Sequence, residues 1–283
     1  MIKLCAIVSS YFPNLDELET NILSFLPWVD HLIIWENTPL NVSEISQLVT
    51  KLNNEKIEVK TTGKNEYLAK PFNICFKWAK ENGYTHVLTM DQDSSFENGQ
   101  FPLYLKQIQK ENNDSTAVYA PNAENFDQSQ ELIELRGVIT SGSVYALNPF
   151  FESKMFNEEF LIYMIDAEYC IRARKKGYKI LCFTRIKLLH KMGYAEKSKA
   201  GLIINNYSAQ STYYIIRNII LTWKLHPEYM TKKAKWGFYK YKVIYRLGKI
   251  IFESSSLLKS KAILLALIHG HLSRGGRYDL TKN

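Results

Sequence analysis

Two carboxylates one residue apart, Asp91 and Asp93, follow a short apolar run at residues 87–90. β-Branched and apolar residues bounded by polar ones read as a buried strand. Alternate residues of an extended chain point the same way, so both carboxylates can face one spot. Such a pair suits a hard divalent cation, which takes oxygen ligands and keeps water or substrate phosphate for the rest of its shell. The same residues, followed by Ser94 and Ser95, also suit an Asp-rich turn or a helix N-cap. Asp166 stands where the apolar run 160–165 gives way to a helical pattern, and on that pattern alone it reads as an N-cap. His190 ends another apolar run, a setting in which a lone histidine is more often structural than a ligand.

The elements that must position these groups alternate in type. Residues 3–10 read as a first strand, and 15–25 as a helix capped by Asn14 or Asp16. Strands at 31–35 and 57–61 alternate with helices at 43–52 and 68–81, and Asn82-Gly83 stops the last of these. This order implies βαβ units, a parallel sheet and right-handed crossovers. Ligands bind beyond the carboxyl ends of such strands, where Glu36, Lys64, Asn65, Asp91 and Asp93 all fall. Further on come a helix at 102–113, a strand at 117–121, a polar loop at 124–134 and a small-residue loop at 140–143 entering a strand. Gly142 there serves a close backbone approach to a ligand or a bulge. A turn and strand follow at 177–182, then the apolar run that ends at His190.

Composition sets the limits. The chain has 283 residues, 46% hydrophobic and 13% aromatic, enough for one large α/β domain or a domain with an appendage. Cys5, Cys75, Cys170 and Cys182 are scattered without a Cys-x-x-Cys pair, which argues against a zinc site or disulfide framework and suits a reducing cytoplasm. The first residues are too short and weakly charged for a signal peptide, and no apolar run approaches a membrane span. The net charge of +8 is uneven: residues 224–283 hold 13 Lys and Arg against 3 Asp and Glu, a net +10 that leaves −2 for the rest. The expected division is therefore a domain at 1–225 and a basic, amphipathic helical region at 226–283. Trp236, Tyr239, Val243, Leu247 and Ile250 recur every three or four residues, as one face of a helix does. A basic helix with such a face suits an anionic membrane surface or packs on the domain.

Taken in order, these residues resemble the family 2 glycosyltransferases of the GT-A fold, nearest to the rhamnosyltransferase-like bacterial members that build surface polysaccharides. The resemblance covers about residues 3–225. It rests on Trp35-Glu36-Asn37-Thr38, Asn65 with Asn73, Asp91-Gln92-Asp93-Ser94, Thr140-Ser141-Gly142-Ser143, Asp166-Ala167-Glu168 with Gly177-Tyr178, His190, and Tyr214-Ile215-Ile216-Arg217-Asn218. It implies a mostly parallel sheet flanked by helices, Rossmann-like in its nucleotide-binding half. It implies an inverting, divalent-metal-dependent hexosyltransferase that uses Mn²⁺ or Mg²⁺. Asp93 and His190 would hold the metal, with Asp91 toward the ribose and base. Ser9, Tyr11, Glu36 and Asn65 would contact the donor nucleotide, and Asp166 would be the general base. Ser141, Gly142, Ser143 and Glu168 would meet the donor or acceptor sugar. The implied partners are a nucleotide-diphosphate sugar, from dTDP or UDP, and a saccharide or lipid-linked saccharide. The implied site of action is the cytoplasm, extending to peripheral attachment at the inner face of the plasma membrane. The sequence departs from the family's commonest pattern at Glu36, where Asp is more usual, and lacks a glycine between Asn65 and Asn73.

Two rivals stay open. A nucleotidyltransferase would share the sheet and carboxylates but would carry a Gly-rich basic loop after the first strand, where this chain has Ser9-Ser10-Tyr11-Phe12-Pro13. A sugar-nucleotide or carbohydrate-binding protein would need no base. Nucleic acid is not an expected partner, since no such motif is present.

Overall fold

A computed structural model describes residues 2–190, 196–197, 203–204 and 207–280. The chain divides into two compact units, residues 1–157 with 166–191, and residues 158–165 with 192–283. This differs from a cut at 225/226 because the helix before that point packs against the last helix of the chain.

The first unit opens with β1 (Leu4–Ser10), α1 (Leu15–Leu23), β2 (His31–Glu36), α2 (Ile45–Leu52), β3 (Ile57–Thr61), α3 (Ala69–Glu81) and β4 (His86–Asp91). Of the two candidate caps for α1, Asn14 is the one used: its Oδ1 accepts from the Glu17 amide at 3.0 Å. Then follow β5 (Ser94–Phe96), α4 (Gln100–Glu111), β6 (Thr116–Asn122), β7 (Leu132–Glu134), β8 (Val144–Ala146), α5 (Leu147–Glu152), α6 (Ile165–Lys175) and β9 (Lys179–His190).

The nine strands form one sheet in the order β3-β2-β1-β4-β8-β6-β9-β5, with β7 also on β9. β1 through β4 pair in parallel, as does β6 with β9. β8 runs antiparallel to both its neighbours, and β5 and β7 run antiparallel to β9. β1 is buried along its whole length, as a strand covered by helices on both faces must be. One face carries Ala6, Val8, Ile34, Leu88 and Met90 against Ile22, Phe25, Phe101 and Tyr104. On the other, the ring centroid of Phe150 lies 4.1 Å from that of Phe76 and 5.2 Å from that of Tyr169, both pairs tilted. Each such ring contributes about 1.5–3 kcal/mol on burial.

All four cysteines are free and buried in this unit. Burial pushes the thiols of Cys5, Cys170 and Cys182 up to about 12.

Three segments differ from expectation. The polar stretch 124–134 ends in a strand, β7, and residues 94–96 form β5 and not a turn. Both pair with β9, which runs unbroken for 12 residues where sequence shows two separate apolar runs.

In the second unit, residues 196–197 pair with 203–204 as two short strands, β10 and β11. α7 (Ala209–Leu225), α8 (Lys232–Phe238), α9 (Tyr245–Ile250) and α10 (Ser256–His271) follow. Gly270 of α10 lets that helix close on α7: a Cβ there would lie 2.9 Å from Ile220 Cβ. The expected single amphipathic helix is interrupted, since a π-helical stretch at Tyr239–Ile244 joins α8 to α9. The extra residue per turn rotates the face. Phe238, Val243 and Ile250 are buried, whereas Trp236 and Leu247 are exposed. No helix among the described residues is long and apolar enough to cross a membrane.

Candidate active site

The carboxyl ends of β1, β2 and β4 lie side by side. Register pairs Ser9 with Asp91 and Ser10 with Glu36. Past β4 the chain turns through Gln92 and Asp93 into β5. Gln92 locks this turn: its Oε1 accepts from the Tyr11 amide at 2.7 Å, and its carbonyl accepts from Asn21 Nδ2 at 2.8 Å. β5 then lies antiparallel to the end of β9 and brings Ser94 opposite His190. Ser94 Oγ is 2.6 Å from His190 Nδ1, and that nitrogen is 3.9 Å from Asp93 Oδ1. Asp91, Asp93 and His190 each offer a ligand atom, and these atoms all lie within 4.8 Å of one another.

The set fits a divalent ion. Two carboxylates and an imidazole suit Mn²⁺ or Mg²⁺ and leave positions for phosphate oxygens. Ligands ~2.1 Å from one ion lie at most ~4.2 Å apart, so the groups need close by only about 0.6 Å. Electrostatics agree. Burial pushes the Asp91 carboxyl up to about 7, and the charges of Asp93 and Asp166 add to the rise. Crowded carboxylates of this kind are relieved by a cation.

Asp91 has its own support. Its amide donates to Ser141 Oγ at 3.1 Å. Ser143 Oγ donates to the Ile139 carbonyl, and the Gly142 amide donates to the Thr89 carbonyl at 2.8 Å. Ser141, Gly142 and Ser143 are all buried, so they reach the site through the backbone of β4. Gly142 adopts φ +77°, and a Cβ there would lie 2.8 Å from Pro121 Cγ. The turn and the close packing together require glycine.

Asp166 sits in the first turn of α6, and its Oδ1 accepts from the Ala167 amide at 2.7 Å. Burial raises its pKa, opposed by hydrogen bonds from the backbone of Ala167 and Thr140. α6 begins at Ile165, so Asp166 is its second residue and not the N-cap that the sequence pattern suggests. Glu168 is engaged elsewhere: it is buried and takes Arg172 in a forked ion pair, at 2.8 Å from Nε and 2.7 Å from Nη2. Arg172 in turn binds the carbonyls of Ser153 and Met155.

The expected nucleotide contacts divide. Tyr11 is exposed beside Phe12, their rings 4.7 Å apart. Ser9 is buried and accepts from Asn37 Nδ2 at 3.2 Å. Glu36 is buried, and its two oxygens accept from the Thr38 amide at 2.6 Å and Ser43 Oγ at 2.8 Å. Asn65 Oδ1 accepts from the Tyr67 amide at 2.8 Å. Sequence reasoning assigned no role to Gln92 or Ser94, although both stand inside the Asp-Gln-Asp-Ser signature. It assigned none to Asn37, whose Oδ1 accepts from the Glu66 amide at 2.9 Å and whose Nδ2 donates to the Tyr67 carbonyl.

In the second unit, Arg217 and Asn218 of the Tyr-Ile-Ile-Arg-Asn stretch clamp residues 159–163. Asn218 Nδ2 lies 2.9 Å from the Phe160 carbonyl, 2.7 Å from that of Ile162 and 3.1 Å from that of Tyr163. Leu161, Tyr163 and Met164 hold φ near +60°, a strained region for such residues. The strained segment runs directly into Ile165 and Asp166.

This architecture is the GT-A fold of glycosyltransferases. A solved structure of GalNAc-T7 with UDP, GalNAc and Mn²⁺ superposes with a TM-score of 0.59 at 11% identity, covering 96% of this chain and 58% of that one. Staphylococcus aureus TarS superposes at 0.53 with 15% identity, covering 99% and 95%. The same protein in complex with UDP-GlcNAc gives 0.55 at 13% identity, with the same coverage. In sequence, the chain is 23% identical, over an alignment 300 positions long, to a dTDP-rhamnosyl transferase, RfbF, of Shigella flexneri, covering 97% of this chain and 98% of that protein. No family model matches the sequence.

Proposed function

We propose that this chain is an inverting glycosyltransferase of bacterial polysaccharide synthesis that moves a sugar from a nucleoside diphosphate to a saccharide hydroxyl. The observation that carries the reading is the convergence of Asp91, Asp93 and His190 at the carboxyl edge of a GT-A sheet. Asp93 and His190 would hold Mn²⁺ or Mg²⁺ with Asp91 beside them, and the bound ion would supply Lewis-acid stabilisation of the leaving diphosphate. Asp166 takes the proton of the acceptor hydroxyl as that oxygen attacks the anomeric carbon. The raised pKa of Asp166 brings it toward the operating pH, where a general base works best. A single displacement from the face opposite the diphosphate inverts the anomeric centre. Tyr11 and Phe12 offer exposed rings near the turn that Gln92 locks, where a pyrimidine base can stack.

The donor reading is rhamnose on dTDP, supported by full-length similarity to a protein named for that transfer. A UDP-sugar is the second reading, favoured by the UDP and UDP-GlcNAc complexes among the structures of the same fold. We also infer peripheral attachment of the second unit to an anionic inner membrane surface. Lys232, Lys233, Lys240 and Lys242 are exposed there, and Lys235 partly so, beside the exposed apolar side chains Trp236, Ile244 and Ile251.

One experiment tests the core reading. Hydrolysis of dTDP-rhamnose and of UDP-sugars is followed with Mn²⁺, with Mg²⁺ and with chelator, on wild type and Asp93→Ala. The expected result is metal-dependent turnover that the variant loses while keeping its melting temperature. Turnover that survives chelation or the substitution would refute the metal role.

A further inference from the structure

The second unit contains a cavity of about 260 Å³ whose lining joins α7 to the α8–α9 stretch. Tyr207, Tyr241 and Tyr245 give it aromatic walls, and Lys242, Arg246 and Lys249 give it cations. Among the described residues, no carboxylate lines it. Behind the wall, Arg246 pairs with the buried Glu253, which also takes Lys259 at 2.9 Å. That triad keeps one net positive charge, so Glu253 neutralises only part of the local basicity and fixes Arg246 in place.

A second observation concerns the same lining. Thr212 is part of its lining and is 4% exposed, yet its hydroxyl has no hydrogen-bond partner among the described residues. A buried hydroxyl without a partner costs roughly 1–3 kcal/mol unless a ligand or water meets it. Close by in sequence, Ile244, Ile251 and Phe252 are exposed, an apolar surface that a soluble sugar phosphate does not need.

We infer that this cavity binds the phosphate and first sugar of a lipid-linked saccharide, the acceptor of the reaction proposed above. The inference rests on that reading for the acceptor's role, and on the cavity and the exposed apolar residues near it in sequence for the ligand's chemistry. Lys242, Lys249 and the fixed Arg246 pair with phosphate oxygens. The tyrosines offer apolar ring faces and hydroxyls together, the mixed surface that a sugar ring presents in return. The exposed apolar residues meet the hydrocarbon chain where it enters the membrane.

Binding is measured on the full-length protein with farnesyl diphosphate, farnesol and inorganic pyrophosphate as probes. Farnesyl diphosphate is expected to bind most tightly. Lys242→Glu and Lys249→Glu should each weaken it by about tenfold or more. Thr212→Val, which removes the hydroxyl and keeps the volume, should weaken it by a smaller factor. Binding of dTDP with Mn²⁺ should be unchanged in all three, which shows that the variants are folded. Farnesyl diphosphate affinity equal to wild type in the lysine variants overturns the site. Pyrophosphate binding as tight as farnesyl diphosphate overturns the lipid-linked ligand, and farnesol binding as tight overturns the phosphate. If sugar transfer fails while farnesyl diphosphate binding persists, the enzymatic reading falls and the site stands.

Discussion

Ser94 and His190 face each other across two antiparallel strands, with Ser94 Oγ 2.6 Å from His190 Nδ1. This pairing carries a histidine almost a hundred residues along the chain to the side of Asp93. The hydroxyl also fixes the plane of the ring, the usual task of a group that supports a metal-binding histidine. Ser94→Ala should weaken Mn²⁺ affinity about 10–100-fold without lowering the melting temperature of the metal-free protein by more than ~1 kcal/mol equivalent. Titration of Mn²⁺ in the presence of dTDP checks it. Unchanged affinity would mean that His190 does not ligate.

Asp166→Asn separates the two uses of that side chain. The amide oxygen still accepts from the Ala167 amide, so the start of α6 is kept. Transfer should fall about 10²–10⁴-fold with donor affinity unchanged. Normal turnover from a less stable protein would assign Asp166 to the stability of the first turn of α6 alone.

His86, buried at the start of β4, makes stability sensitive to acid. Burial pushes its imidazole down from 6.5 to about 4. In the unfolded chain it protonates near 6.5, whereas in the fold it stays neutral until about 4. The unfolded state therefore binds more protons in this window, and stability is lost as pH falls from about 6.5 to about 4, by roughly 3 kcal/mol in full. Urea unfolding at pH 7 and pH 4.5 should show a smaller acid loss for His86→Gln than for wild type. An identical loss in both would clear His86.

Gly142→Ala should lower stability by at least about 1 kcal/mol, because alanine disfavours positive φ and its methyl would press on Pro121 and Leu188. The loop also supports Asp91 through Ser141, so Mn²⁺ affinity should fall with it. A calorimetric melt and the same Mn²⁺ titration measure the two effects. A melt unchanged from wild type would show that the turn tolerates a side chain.

The alternation from β1 to β4 is legible in sequence because each strand is a local apolar run and each helix a local period. β3 matches its expected bounds, and β2 and α3 differ from theirs by one residue. Asp91 and Asp93 are legible as a pair by type and spacing, but a turn at Gln92 and Asp93, not strand alternation, brings both beside His190. β5, β7 and the full length of β9 are not, because short polar strands exist only through partners far away in the chain. The hydrogen bonds that occupy Glu36 and Glu168 are likewise tertiary or turn-level facts that residue type does not reveal. The tail's period predicts a helix correctly but only part of its buried face: Val243 and Ile250 are buried, whereas Trp236 and Leu247 are exposed, since the π-helical stretch shifts the register after Phe238.

The four buried thiols give the first unit an internal clock. A thiol shielded in the core and pushed far above neutral pH scarcely forms thiolate, so it reacts with an alkylating reagent only when the surrounding structure opens. Cys5 lies in β1, Cys75 in α3, Cys170 in α6 and Cys182 in β9, four separate parts of one core. Mass spectrometry of timed alkylation therefore reads four local opening rates from an unmodified chain. If dTDP and Mn²⁺ bridge the ends of β1, β4 and β9, they should slow labelling at Cys5 and Cys182 more than at Cys75.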